Sequence, residues 1–253
     1  MEWHDDAIVL GLRKYGENNG ILHAFTKEHG RHAALVRGIQ SKRSPKPWIR
    51  TGNILKIVWR GRLNDQLGSY KFTEPAEDCS PLPTIHYNSA NIIHTLIEYL
   101  LLLPEHYPHK NLFEEAKDIL KSLTNSDISH SSCKLVKFEV LLLEELGFGI
   151  DMYKCTISGE TNDLAFVSPR TGRAVTRKFG IPYEQKLLKI PKFLKRNWMH
   201  VDIDSHEEIC NGFYLSGFFL KKHVWQPRKI PISFARTEVI NYHENASRRQ
   251  STI

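Results

Sequence analysis

Between Ala7 and Thr73 the chain is a succession of short apolar, β-prone runs, each closed off by glycine, asparagine or proline. Ala7–Arg13 gives way to the turn Gly16-Glu17-Asn18-Asn19-Gly20, and Ile21–Thr26 to the tight turn Lys27-Glu28-His29-Gly30. Arg31–Gly38 leads into the loop Gln40–Trp48, where Pro45 and Pro47 exclude a regular element. Gly52–Arg60 and Leu67–Thr73 complete the set. Runs of this length and punctuation predict strands joined by hairpins. Alternation in the fourth run places Ile54, Lys56, Val58 and Arg60 on one face and Leu55, Ile57 and Trp59 on the other. Closing so short a sheet into a barrel removes its edges, and a small barrel of five strands predicts an OB-fold.

The same stretch is one-sided in charge. From Arg31 to Lys71 the basic residues are Arg31, Arg37, Lys42, Arg43, Lys46, Arg50, Lys56, Arg60, Arg62 and Lys71, against Asp65 alone. A small barrel charged in this way implies an anionic partner, of which nucleic acid is the simplest. OB-folds hold single strands with a positive groove and stacking aromatic rings. Trp48, Trp59, Tyr70 and Phe72 are interleaved with the cations. Trp59 and Phe72 suit the barrel core better, whereas Trp48, in a basic loop flanked by proline, is the better stacking candidate.

Composition narrows the class. A chain of 253 residues buries one good core or two modest ones. Its formal charge of +7 agrees with an anionic partner. The longest apolar stretch, Thr95–Leu103, is too short for a bilayer and contains Glu98, so a membrane partner is not expected. Glu2, Asp5 and Asp6 stand where a secretory leader has its basic segment, which predicts a cytoplasmic protein. Cys79, Cys133, Cys155 and Cys210 are widely spaced and read as reduced thiols.

After Cys79-Ser80-Pro81-Leu82-Pro83 the pattern becomes helical. Asn91, Ile92, Thr95, Leu96, Tyr99, Leu100 and Leu103 mark one helix, stopped by Pro104. Leu112, Phe113, Ala116, Ile119, Leu120 and Leu123 mark a second, and Cys133–Gly147 a third, with Gly147 as its C-terminal stop. Short connections suggest a bundle. The segment 151–199 is an irregular, glycine- and proline-punctuated excursion in which Leu164–Val167 alone looks like a strand. From Arg170 to Arg196 it carries nine basic residues, Arg170, Arg173, Arg177, Lys178, Lys186, Lys189, Lys192, Lys195 and Arg196, against Glu184. Ser205 caps a fourth, aromatic helix that Pro227 ends. The expected organisation is α+β: a barrel over 1–79, a helical domain over 80–150 and 200–245, the insertion over 151–199, and a disordered tail over 246–253.

No catalytic pattern stands out: the chain has no G-x-S-x-G, phosphate-cradling loop, dinucleotide fingerprint or H-E-x-x-H. The expectation is therefore a non-enzyme. His4, His29, His106, His109 and His130 fall in predicted turns, where a solvated imidazole is the default. His86 and His94 can share a helical face, but two ligands do not make a metal site. Asp202, Asp204, Glu207 and Glu208 read as helix capping and dipole compensation, in preference to a magnesium-dependent nuclease. Lys134 and Lys137, one turn apart beside Phe138, suit an acidic, apolar peptide, although a solvated helix face explains them as well.

Several segments, in order, resemble the bacterial RecO family of recombination mediators. Met1-Glu2-Trp3 with Asp5–Gly11 is similar to the family's opening, as is Glu28-His29-Gly30-Arg31-His32 followed by Leu35-Val36-Arg37-Gly38. Phe138–Gly149 resembles its F-E-x-x-L-L-x-x-L-G-x-G signature, and Ser168-Pro169-Arg170-Thr171-Gly172-Arg173-Ala174-Val175 its S-P-x-x-G-R-A-V segment. The resemblance implies an N-terminal OB-fold, a helical domain and an insertion that is a zinc module in some members. It implies binding of single- and double-stranded DNA, annealing of complementary strands, and loading of RecA onto DNA coated with single-strand-binding protein (SSB). The implied partners are RecR and the acidic C-terminal tail of SSB.

On that resemblance Arg31, Arg37, Lys42, Arg43 and Arg50 are expected to contact phosphates. Lys46 and Trp48 belong to the same candidate surface, Arg170, Arg173 and Arg177 to a second one. Lys134 and Lys137 are the candidates for the SSB tail. Zinc-bearing members show two C-x-x-C pairs. Here Cys155 keeps one position, Ser158 stands at its partner's place, and Ala174–Arg177 contain no cysteine, so the insertion is a degenerate zinc module and no metal is expected. The rival from another class is an RNA-binding or ribosome-associated OB-fold protein, which the composition fits equally well.

Overall fold

The computed structural model describes residues 1–39, 48–63, 66–75, 87–125, 127–195 and 205–250. By its contacts the chain forms two compact units, Met1–Ser126 and Asp127–Ile253.

The first unit is organised by β1, Glu2–Tyr15. Its N-terminal half pairs antiparallel with β4 (Ile54–Arg60) and its C-terminal half with β2 (Asn19–Thr26), with a register shift between Val9 and Gly11 where the strand bends. β2 continues into β3 (Gly30–Arg37), and β5 (Ser69–Pro75) pairs antiparallel with β4 and parallel with β3 at Leu35–Ser69. The result is a closed barrel of order β1-β2-β3-β5-β4, the OB-fold expected from the sequence. Alternation assigns the interior: Ala7, Val9, Leu22, Ala24, Ala34, Val36, Leu55, Ile57, Trp59 and Tyr70 fill it. At Gly30 the backbone adopts φ +68°, and a Cβ there would lie 2.0 Å from the Tyr107 carbonyl oxygen, so both space and conformation require glycine.

The outer face of the barrel is covered as well. Ile8 faces Phe25 and Ile54 across its two neighbouring strands, and all three are buried. Phe25 meets Phe113 of α2 at 5.9 Å between ring centres. Helix α1 (Tyr87–Leu100) buries Ile92, Leu96 and Leu100, and α2 (Lys110–Asn125) buries Leu112, Phe113, Ala116, Ile119 and Leu120, the stripes read from the sequence. Ion pairs Lys27–Glu114 (2.7 Å), Lys110–Glu28 (2.5 Å) and Lys117–Asp6 (3.3 Å) fasten α2 to β1 and to the β2–β3 turn. These contacts join α2 to the barrel, and α1 belongs to the same first compact unit.

In the second unit α3 (Ile128–Glu145) precedes a small sheet. β6 (Leu164–Val167) lies between β7 (Ala174–Thr176) and β8 (Leu188–Lys189), with α4 (Arg177–Gly180) and two 3₁₀ turns in the connections. The insertion is thus more ordered than its composition suggests; β7 and β8 are too short to carry a period. Helix α5 (His206–Leu220) runs into a π turn, Lys221–Trp225, then α6 (Gln226–Arg228), and the chain leaves the helix at Lys229 in the left-handed region. Pro227 sits in the first turn of α6, where its missing N–H is tolerated. A last helix, α7, spans Phe234–Gln250.

Helices α3, α5 and α7 meet around one buried ion pair. Arg236 Nε donates to Glu139 Oε1 at 2.8 Å and Nη2 to Glu139 Oε2 at 3.0 Å. Nη2 also donates to the Phe213 carbonyl at 2.7 Å, and Ser216 Oγ donates to Glu139. Both ions are buried, and the guanidinium lies over the rings of Phe213 and Trp225 at 5.1 and 5.4 Å. Close approach of α3 and α5 is permitted at Gly212, where a Cβ would come within 2.9 Å of Val136. Buried His243 of α7 bonds to Ser132 Oγ of α3 and to His206 Nδ1 of α5, each at 2.8 Å. The tail expected to be disordered from 246 is helical to Gln250 because Arg236, Val239 and His243 anchor this helix in the core.

Removing one partner of a buried ion pair strands the other charge, at about 3–5 kcal/mol. Arg236→Ala is expected to lower the unfolding free energy of the second unit by about that much. The double variant Arg236→Met with Glu139→Gln is expected to lose less, as measured by denaturant unfolding.

Candidate nucleic-acid interface

Register places a cationic surface on the outside of β1–β3. Arg13 is opposite Ile21, and Ile21 opposite Leu35; Tyr15 is opposite Asn19, and Asn19 opposite Arg37. Cross-strand partners share a face, and Leu22, Ala34 and Val36 occupy the interior. Arg13, Tyr15 and Arg37 therefore project from the outer face, and all three are exposed. Lys14 is exposed at the end of the same hairpin, and Arg62 in the β4–β5 connection. The outer face of strands 2 and 3 with these two connections is where OB-folds hold oligonucleotides. Arg13, Lys14 and Tyr15 escape a reading of the sequence alone because they precede the basic stretch; the signal available is their place at the end of a hairpin that returns to Arg37.

The other candidates fare differently. Arg50 is exposed. Arg31 is turned towards Glu105, with Nη2 3.3 Å from Oε1. Segment Glu105–His106 bridges to β3 at Arg31, covering the part of that strand that β5 does not reach. Trp48, expected to offer its ring for stacking, instead packs half-buried against the barrel core beside Ile49, and its carbonyl accepts from Asn53 Nδ2 at 2.9 Å. Lys42, Arg43 and Lys46 lie outside the described residues, as do His86, Asp202 and Asp204, and nothing is described of the Phe72 side chain. Trp59 is core, as its alternation favours.

An aromatic cluster at the start of β1 has no counterpart in the sequence expectations. Trp3 stacks on His29 (3.9 Å, 10°) and on Trp59 (5.5 Å, 15°), with the His32 ring edge-on at 5.3 Å. Buried Asp5 holds His29 in place: its Oδ2 accepts from His29 Nδ1 at 2.9 Å and from the Glu28 N–H at 2.8 Å. His29, in the β2–β3 turn, is therefore held against the barrel by Trp3 and Asp5 and is only partly exposed. His32 is buried, shares a 2.8 Å hydrogen bond with the Tyr70 hydroxyl, and has its pKa pushed down to about 4 by burial, with smaller repulsion from His106 and His29.

In the second unit Arg170 and Arg173 are exposed in the Ser168–Arg173 turn between β6 and β7, and exposed Arg177 lies 3.4 Å from Asp163. Lys134 and Lys137 are half-buried on α3, while the neighbouring Phe138 is fully buried and lines no surface. Ser205 Oγ accepts from the Glu208 N–H at 3.4 Å, the capping expected at this helix start, whereas Glu208 Oε2 accepts from the Lys192 N–H at 2.6 Å, at the start of the preceding 3₁₀ turn.

The insertion does not fit zinc. Cys155 Sγ accepts from the Thr176 N–H at 3.4 Å and faces Thr176 Oγ1 at 3.7 Å, while Ser158 Oγ donates to Glu160. Burial raises the Cys155 pKa, but hydrogen bonds from Ser158, Thr176 and Ile157 outweigh it and bring the pKa down to about 6. Among the described residues no group of three His, Cys, Asp or Glu side chains is arranged to hold a metal. Among the same residues no helix is long and apolar enough to cross a membrane.

Fold and surface together define an OB-fold protein with a basic outer strand face and a second, mainly helical unit. Comparison with known proteins is specific. The profile described as recombination protein O, N terminal, matches residues 1–78, and that for its C terminal matches residues 86–229. A protein named DNA repair protein RecO from Bradyrhizobium sp. (strain ORS 278) is 38% identical over 95% of each chain. One of the same name from Chelativorans sp. (strain BNC1) is 41% identical over 93% of each. The chain belongs to the RecO family.

The buried histidines set a pH dependence. An ordinary histidine, near 6.5, takes up a proton in the unfolded chain before His32 does in the folded one. Stability is thus fully present above that value and is lost as pH falls from about 6.5 towards 4. Urea midpoints are expected to fall across this window, and His32→Gln to flatten the fall. His243, likewise depressed to about 4 by burial and by His206, and His223, depressed by burial and by Lys222, contribute to the slope that remains.

Proposed function

We propose that this chain is a non-enzymatic, cytoplasmic DNA-repair and recombination protein. It binds single- and double-stranded DNA, anneals complementary strands, and works with RecR and the SSB tail to load RecA on SSB-coated DNA. The observation that carries the reading is the outer barrel face bearing Arg13, Tyr15 and Arg37 on an OB topology, in a chain of the RecO family. The mechanism is electrostatic. Lysine and arginine side chains neutralise the phosphates of two strands and release their counterions, which lowers strand repulsion and lets bases meet. Arg50, Arg62 and the exposed Arg170 and Arg173 extend the same chemistry beyond the strand face.

Anisotropy of a labelled oligonucleotide over a salt series tests this. Tight binding of single-stranded DNA with a steep log–log salt slope is expected. Arg37→Glu with Arg50→Glu should flatten that slope by about 0.7 for each phosphate that is no longer neutralised. Preference for RNA of the same sequence would instead promote an RNA-binding OB-fold protein, and absence of binding would remove the nucleic-acid reading.

For the SSB tail, Lys134 and Lys137 supply cations on one side of α3. Lys134→Ala with Lys137→Ala is expected to weaken binding of an acidic tail peptide roughly two- to thirtyfold, the worth of two partly exposed ion pairs. Calorimetric titration showing wild-type affinity would remove this site.

A further inference from the structure

We propose that the stacked pair Phe148–His223, with the Ser168–Arg173 turn beside it, is a base-stacking contact for single-stranded nucleic acid on the second unit. The proposal rests on the DNA-binding reading above and adds to it a site and a mode of contact.

Phe148 is placed by the end of α3. Gly147, at φ +83°, closes the helix: its N–H bonds to the Glu144 carbonyl at 2.9 Å, and the Phe148 N–H to the Leu143 carbonyl at 2.7 Å. In this motif the residue after the glycine commonly packs back on its own helix. Phe148 instead stacks on His223 at 4.6 Å with an interplanar angle of 13°, and it remains 39% exposed. His223 is in turn parallel to buried Phe219 at 6.3 Å and 1°. The exposed ring is thus the outer member of a pile rooted in the core. Burial and neighbouring Lys222 depress the His223 pKa, which keeps the imidazole neutral and suited to stacking.

The surroundings name the occupant. His223 lies in the π turn, a local distortion frequent at functional sites. From that turn Lys222 Nζ donates to the Pro169 carbonyl at 3.3 Å, and a Cβ on Gly172 would lie 3.7 Å from the Phe219 ring. The β6–β7 turn, with exposed Arg170 and Arg173, is therefore held beside the pile. Carboxylates are also near: Glu144 at the end of α3, and Asp151, whose backbone bridges to Arg173. A planar ring in a pile offers a π-face, and guanidinium groups next to it suit phosphates. Every base has a matching face, so stacking of this kind is tolerant of sequence. An acidic peptide with an apolar side chain would meet the same guanidinium groups and ring, so it is the outcome that the test below separates from a base.

The test uses the full-length chain, with labelled oligothymidylate, an abasic oligomer of the same length, and a duplex. Phe148→Ala and Phe148→Leu are expected to weaken oligothymidylate binding roughly five- to a hundredfold. The salt slope, abasic binding and duplex binding should stay at wild-type values, and Phe148→Tyr should restore affinity. Phe148→Leu keeps apolar bulk at the helix end, and thermal melts confirm that each variant is folded. Equal losses on abasic and base-bearing strands would overturn the proposal, as would wild-type affinity in Phe148→Leu while the parent binds; the DNA-binding reading would then stand alone. Phe148-dependent capture of an acidic peptide without an effect on oligothymidylate would overturn it too. A parent chain that binds none of the three probes would sink both readings.

Discussion

Hydrogen bonding along both edges of β1 is the constraint on which the first unit depends. Because Glu2–Ile8 pair with β4 while Ala7–Tyr15 pair with β2, the sheet closes, and every side chain is sorted to an inside or an outside. The inside takes alternate residues of each strand. The edge that β5 leaves open at the start of β3 is taken by Glu105 and His106. With these strand edges occupied, the described barrel presents outward the side chains of its outer face and its loops. That is the physical reason to look for recognition at Arg13, Tyr15 and Arg37 and not along a strand edge.

The second unit solves a different problem. Its helices bury a carboxylate and a guanidinium, a costly choice unless every polar atom finds a partner. Glu139, Ser216 and the Phe213 carbonyl meet that need around Arg236, and flanking rings exclude water. Such an arrangement tolerates little displacement, since moving one helix leaves two ions unmatched. It ties α3, α5 and α7 together at Glu139, Ser216 and Arg236, and the guanidinium also lies over Trp225 in the π turn.

What is legible in the sequence is local. Strand alternation, the turn glycines and the helical stripes of α1 and α2 depend on near neighbours, and the structure follows them. What is not legible depends on distant partners. Phe138-Glu139 is recognisable as a signature, but its physical content is a bond to a residue 97 positions away. The last helix reads as a polar tail because its anchors include Arg236 and His243, so a stripe that buries charge and imidazole does not register as hydrophobic periodicity. Trp48 is misplaced for a related reason: prolines and cations around it suggest solvent, while the tryptophan folds back with Ile49 onto the core. Arg31 carries the right charge but faces Glu105.

Net charge, finally, is a poor locator of the basic face. Lys27, Lys110 and Lys117 are engaged by Glu114, Glu28 and Asp6 where α2 meets the barrel, and Arg60 by Glu2. These cations contribute little to the field that an approaching phosphate experiences, because each is matched by a carboxylate within a few ångströms. Arg13 and Lys14 do not enter the conspicuous basic stretch of the sequence, yet they stand exposed at the hairpin end that returns to Arg37. A chain of the same composition with its carboxylates redistributed to that hairpin would keep its charge of +7 and lose the surface. Strand register and the docking of α2 decide which cations meet carboxylates and which gather at the β1–β2 hairpin, and that distribution turns a basic protein into one with a basic face.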